Sequence, residues 1–268
     1  ATADLTEILL RDSASLQARD AEYLNRRRRR REPEVEPVYT EADVEAVLPR
    51  LAQVGYGSPV AAAPGVTATF RDAGHILGSA MLEIECREGG RRTLVVFTGD
   101  LGRPGMPILP DPAPMPPCDY LICESTYGGR FHKPVKDMED QLFEPINRAI
   151  ERKGKIVIPA FSVGRTQEIV YILHQLSISG RLGHIPVFVD SPLSVNVTEV
   201  FRKHPECFDA ETLAILNADD HNDPFGFDRL TYVRTADESK ALNERPGPFI
   251  VISASGMCDA KLPDMQAA

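Results

Sequence analysis

The sequence predicts an α/β chain in which a β-rich half precedes a half built from βαβ units with a parallel sheet. Three observations carry this. Between about residues 66 and 126, short runs rich in β-branched residues are separated by Gly, Pro or charged turns. After residue 133, apolar strand-like runs alternate with helical patterns of ten to seventeen residues. The chain has 268 residues, 43% hydrophobic and 26% charged, enough for one large core or two small ones.

The chain opens on a helix. Leu5, Ile8, Leu9 and Leu16 recur at helical spacing, and no N-cap cluster precedes them, so the chain reads as starting in mid-structure. Arg26 to Arg31 is a run of six arginines followed at once by acidic "EPEVEP". A solvated, locally neutralised charge run and a phosphate-contacting arm both fit it. "TEADVEAVLPRL" is a helix capped by Thr40. "VTATFRDA", "SAMLEIEC", "RTLVVFTGD" and "DYLICEST" are strands, the middle two joined through a hairpin at "REGGRR". "RPGMPILPDPAPMPP" is an extended surface loop.

Near Lys133 the rhythm changes to a Rossmann-like unit. "MEDQLFEPINRAIERKG", "GRTQEIVYILHQLSISG" and "LSVNVTEVFRKH" are helices; "KIVIPAF", "IPVFVDSP" and "PFIVISASG" are strands. Two domains follow, 1–132 and 133–260. The end, 261–268, carries no core pattern and reads as a non-native tail.

A net charge of -9 argues against a generally basic nucleic-acid-coating protein, though not against a locally basic groove. Five cysteines (Cys86, Cys118, Cys123, Cys207, Cys258) form no CxxC pair, which disfavours a cysteine-based zinc site and suits reduced thiols in a cytoplasmic protein. No apolar run approaches the ~18 residues of a membrane span.

His75 and Asp100 each stand where a strand pattern gives way to glycine. Imidazole nitrogen and carboxylate oxygen suit zinc or manganese. A carbonyl-capped histidine and a turn-forming aspartate fit the same spacing. Glu124 ends a third strand, where a carboxylate orients a histidine or pairs with a basic neighbour. In the second half, Ser162, Gly164, Arg165 and Gln167 lie between a strand and a helix, a place that favours anions. Asp190, Ser191 and Ser194, and then Ser253, Ser255 and Gly256, repeat the placement. Serine is also a common N-cap. Three such loops on one sheet edge would form a track for a polyanion. The other histidines, 132, 174, 184, 204 and 221, read as surface or packing residues.

In this order, "FRDAGHILGSAMLEIE", "FTGDLGRPGMPIL", "LICESTYGGRFH", "PAFSVGRTQEIVYIL", "VDSPLS" and "ISASGM" resemble the motifs of the β-CASP branch of the metallo-β-lactamase fold, which contains RNA-processing nucleases. The resemblance implies a partial metallo-β-lactamase αβ sandwich joined to a β-CASP domain. It implies that His75 ligates one zinc, that Asp100 bridges two, and that Glu124 hydrogen-bonds a catalytic histidine. Ser162, Arg165 and Ser255, with Ser191 in the same row, would meet the RNA backbone. The family's HxHxDH motif and two further histidines have no counterpart here, so the chain resembles an internal fragment. An exposed sheet edge and face would follow, covered in a homo-oligomer. The functional expectation is metal-dependent RNA phosphodiester hydrolysis, or activity on phosphoesters or activated esters. An RNA-binding module that does not cut, and an inert oligomerising fragment, are the alternatives.

Overall fold

A computed structural model of the protein describes residues 1–29, 33–131, 135–218 and 223–254. Ser255, His132 and the tail 261–268 lie outside the described residues. The chain divides into two compact units, Ala1–Gln53 and Val54–Ala268.

The first unit is helical. Helix α1 (Thr2–Arg27) buries Leu5, Ala14 and Ala21, and α2 (Glu41–Val47) buries Val44. Thr40 caps α2 in a full capping box with Asp43. The helix ends at Val47 because Pro49 tightens the chain into a 3-10 turn over Leu48–Arg50. Arg11 pairs with Glu7 at 3.1 Å and with Glu45, which joins α1 to α2. Within the arginine run, Arg26 pairs with Glu22 one turn back and Arg27 lies 4.2 Å over the Tyr23 ring. These two side chains are used within their own helix.

The second unit holds two sheets. The first has five strands in sequence order: β1 (Val60–Ala63), β2 (Val66–Asp72), β3 (Ala80–Glu88), β4 (Arg91–Phe97) and β5 (Tyr120–Ile122). Its pairs are antiparallel except β4/β5. Gly89 and Gly90 turn the β3–β4 hairpin with φ of +56° and +81°, the positive pair a type I′ turn requires. One face buries Met81, Leu94 and Val96. The alternation puts Phe70, Leu82, Phe97 and Ile122 together on the other face, where none is fully buried. The edge strand β5 is only three residues long, shorter than its apolar run, and Tyr120, Leu121 and Ile122 are all exposed.

The second sheet is wholly parallel, in the order β6 (Ile156–Ala160), β9 (Ile250–Ala254), β7 (Val187–Asp190), β8 (Leu230–Val233). Helices α3 (Met138–Glu151), α4 (Arg165–Ile178), α5 (Pro192–Lys203), α6 (Ala210–Ala218) and α7 (Ala236–Glu244) complete it. Val187, Val189, Ile250, Val251 and Ile252 have no exposed surface, as strands covered on both faces must. Sequence patterns had not marked β1, α6, β8 or α7. Each is short, and α6 has no polar stripe to reveal its period.

His174 lies within α4, 6% exposed, with its ring stacked on Phe227 at 5.9 Å. Burial pushes its pKa below the ordinary value, opposed by a hydrogen bond to the Pro224 carbonyl and by Asp223. The unfolded chain therefore takes up this proton first as pH falls. Stability should be level above about pH 6.5 and decline below it. His174→Phe, which keeps the stack, should flatten thermal melting points between about pH 7 and 5. An unchanged slope would remove His174 as its source.

Candidate functional site

Two loops at the ends of β2 and β4 build the first half of the site. After β2, Asp72 accepts the Gly74 N–H at 2.8 Å, and Ser79 Oγ accepts the N–H groups of His75 and Ile76 at 3.0 and 3.2 Å. The tight loop this makes carries His75 outward, 43% exposed. After β4, Thr98 is fully buried and its hydroxyl donates to the Gly99 carbonyl at 2.7 Å. Gly99 takes a φ of +55°, which turns the chain so that Asp100 projects into solvent.

Gly102 clamps the two loops. Its N–H donates to the Ala73 carbonyl at 2.8 Å. A Cβ at Gly102 would lie 1.7 Å from the Gly74 carbonyl oxygen, so no other residue fits. The result is His75 Nε2 at 3.9 Å from Asp100 Oδ2.

Glu124 follows β5. Its Oε1 accepts the Leu101 N–H at 2.7 Å, and its own N–H donates to Thr98 Oγ1 at 3.3 Å. The Leu101 N–H foremost, then Thr126 and the charge of His75, hold its carboxyl below the usual range. Glu124 thus braces the backbone beside Asp100, close enough to sense His75.

The second half comes from the parallel sheet. Ala160 pairs with Ala254, and Asp190 with Ser253, so β6, β9 and β7 end flush and their loops share one edge. Gly164, at φ +79°, starts α4. The N–H groups of Arg165 and Thr166 already reach the carbonyls of Val163 and Phe161, at 3.0 and 3.2 Å. An anion at this helix start would therefore meet chiefly the Arg165 side chain, which is 54% exposed. Gln167 is fully buried; its Nε2 donates to the Ser162 carbonyl at 3.2 Å and to Thr198 Oγ1 at 2.9 Å, so it holds the loop against α5. Ser162 is half-buried on that loop. Ser191 is 7% exposed and caps α5 by accepting the Ser194 N–H at 3.1 Å.

The two halves meet. A Cβ at Gly164 would lie 3.0 Å from Ile76 Cγ2, which seats the start of α4 against the His75 loop. Glu168, one turn into α4, pairs with Arg165 at 2.8 Å. Burial raises its pKa, opposed by Arg165 and then by His75. Glu168 had escaped sequence reasoning; its three-residue offset from Arg165 was the available signal. Phe161, 60% exposed beside Ser162, was also missed, hidden inside a strand-like run.

His75 and Asp100 offer the right donor chemistry for zinc, but a zinc site takes at least three protein ligands. Among the described residues no three His, Cys, Asp or Glu side chains are placed to hold a metal ion. The described donors alone do not fit the metal.

Comparison with known proteins bears on this arrangement. Residues 166–262 match the Beta-Casp domain. A ribonuclease of Thermus thermophilus is 35% identical over 222 residues, covering 83% of this chain and 49% of the relative. An RNase J-like protein of Methanocaldococcus jannaschii is 32% identical over 222 residues, covering 82% and 49%. The transcription termination factor FttA of Cenarchaeum symbiosum is 31% identical over 228 residues, covering 83% and 34%. The chain thus spans about half, or less, of the length of these relatives.

Proposed function

We propose that this chain, which belongs to the β-CASP branch of metallo-β-lactamase-fold RNA-processing nucleases, takes part in hydrolysis of RNA phosphodiester bonds. The observation that carries the reading is the seating of the α4 start against the His75 loop. It joins hydrolytic donor groups and an arginine-bearing sheet edge in one site. Arg165 would hold a backbone phosphate through its guanidinium fork, and Phe161 would stack a base. Ser162 and Ser191 lie along the same edge; Ser255 extends the row in sequence. His75 and Asp100 would give two donors to a zinc centre whose other donors come from outside the described residues. Glu124 would keep Asp100 in place through the Leu101 N–H.

The division between the halves at residues 132 and 133 and a cytoplasmic setting belong to the same proposal. So does a homo-oligomer formed through β5, whose outer edge and apolar side chains are exposed.

Labelled single-stranded RNA and the zinc-supplemented chain test this. Cleavage should fall at least about 100-fold in His75→Ala and in Asp100→Ala. RNA affinity should stay within about twofold in both, while Arg165→Ala weakens it and lowers the salt slope by about 0.7. Activated phosphotriesters and carboxyl esters belong in the same screen. Cleavage indifferent to both substitutions would sink the assignment of His75 and Asp100. A second reading, a module that holds RNA without cutting it, is favoured by the two-donor count; saturable binding without turnover at any zinc level would select it.

A further inference from the structure

The Pro-rich loop after β4 walls a second cavity, separate from the site above. Residues 105–111 face the start of α3, the middle of α4 and the start of α6 around a volume of about 450 Å³, within the range of small-ligand sites. Tyr171 on its wall lies six residues beyond Arg165, roughly 9 Å along the α4 axis. The loop is held in place. Gly105 N–H donates to Asp111 Oδ1 at 2.7 Å, and the Asp209 N–H donates to the Ile108 carbonyl at 2.8 Å. Ile108 itself is 1% exposed at φ +80°, a conformation that a β-branched residue adopts only under constraint.

The lining has a definite chemistry. Met106, Pro107, Leu109, Pro110 and Met138 supply its apolar wall, and polar groups make up nearly as much of the lining. Among the described residues that line it, the carboxylates Asp111, Glu139, Asp209 and Glu211 have no Lys, Arg or His beside them. Each is partly engaged: Asp111 accepts the Gly105 N–H, Glu139 lies 3.6 Å from Arg181, Asp209 accepts the Thr212 N–H at 2.7 Å, and Glu211 is hydrogen-bonded with Tyr171. Burial, and after it the charge of Glu211, pushes the Tyr171 phenol up to about 12, so it remains a neutral O–H. Gln175 adds an independent demand: its Nε2 is buried and has no hydrogen-bond partner among the described residues, a donor in need of an acceptor.

These features select a ligand. The described carboxylates repel phosphates, which separates the cavity from the phosphate-holding edge proposed above. The carboxylates do not converge on a point, since no three acidic, His or Cys side chains among the described residues could hold a metal ion. What fits is a positive charge on an aliphatic stem, next to a carbonyl that accepts from Gln175. A lysine or arginine residue within a peptide has all three parts.

We propose that this cavity docks a basic segment of a partner protein, with one Lys or Arg side chain laid along the Met106–Pro107 wall, its charge among Asp111, Asp209 and Glu211, and a backbone carbonyl on Gln175.

Acetyl-Gly-Arg-Gly-amide titrated into the labelled full chain and followed by NMR tests it. Two comparators isolate the parts: the norleucine peptide lacks the charge, and agmatine lacks the peptide carbonyl. The arginine peptide should bind saturably, about tenfold tighter than either. Glu211→Gln should weaken it about tenfold, and Gln175→Leu should bring it down to agmatine's affinity. Should Glu211→Gln fail to fold, Asp111→Asn, whose amide oxygen can still accept the Gly105 N–H, makes the same test of charge. No saturable shift up to about 10 mM peptide, or shifts that ignore these substitutions, would overturn the proposal. Equal binding of agmatine would overturn its peptide form.

Discussion

Gly102→Ala is expected to unfold the first sheet's functional end or to cost more than about 3 kcal/mol. The methyl would sit 1.7 Å from the Gly74 carbonyl oxygen and 2.8 Å from the His75 nitrogen, and both are backbone atoms that cannot swing aside. Relief requires the two loops to part, which breaks the Gly102–Ala73 hydrogen bond and widens the 3.9 Å separation of His75 and Asp100. Gly105→Ala is the control. It sits three residues on at φ +74°, with open space around its Cβ, and should cost only about 1–2 kcal/mol of left-handed strain. Thermal melts of the two variants decide the matter. A Gly102→Ala protein that melts with the unmodified chain would show that the loops do not approach so closely.

Phe225→Ala should cost about 3–5 kcal/mol, roughly 6–20 °C in melting temperature. Phe225 has no exposed surface and packs edge-on against Phe201 at 5.5 Å and Phe208 at 5.8 Å. Its carbonyl accepts from Arg202 at 3.2 Å and Tyr232 at 2.7 Å, while Arg202 Nε also reaches Asp223 at 2.9 Å. Truncation leaves a void among aromatic rings beneath α5. The effect should reach the site, because Thr198 on that helix holds Gln167, which holds the Ser162 carbonyl. Under the proposed function, RNA affinity should therefore drop in Phe225→Ala even at temperatures where the protein stays folded. Phe225→Leu, which refills most of the volume, should recover about half of the stability. A Phe225→Ala protein as stable as the parent would mean that this aromatic cluster is not the keystone of the α5 side.

Local chemistry in the chain determined the elements that are long or strongly patterned. The β-branched run at 250–254 forms an inner, buried strand of the parallel sheet, and the run at 156–160 pairs beside it as the sheet's edge. Thr40 and Asp43 set a helix start by themselves, since the capping box closes within four residues. The motifs at His75, Asp100, Glu124 and Arg165 were legible because each sits at a strand end, where periodicity stops and a polar residue stands out.

Tertiary structure alone decided how those ends combine. The insertion of β9 between β6 and β7 brings three loops to one edge, and no local pattern encodes strand order. The 3.9 Å approach of His75 to Asp100 depends on a glycine that only the facing loop explains. Strand β5 stops at Ile122 although its apolar run continues, because Glu124 bonds the Leu101 N–H and turns the chain away. The burial of Glu168 near His75 and the carboxylate-lined cavity appear only when segments distant in sequence are packed together. Periods of two and 3.6 residues are local and survive in a linear reading; pairing order, close approach and shared cavities arise from contacts between distant segments.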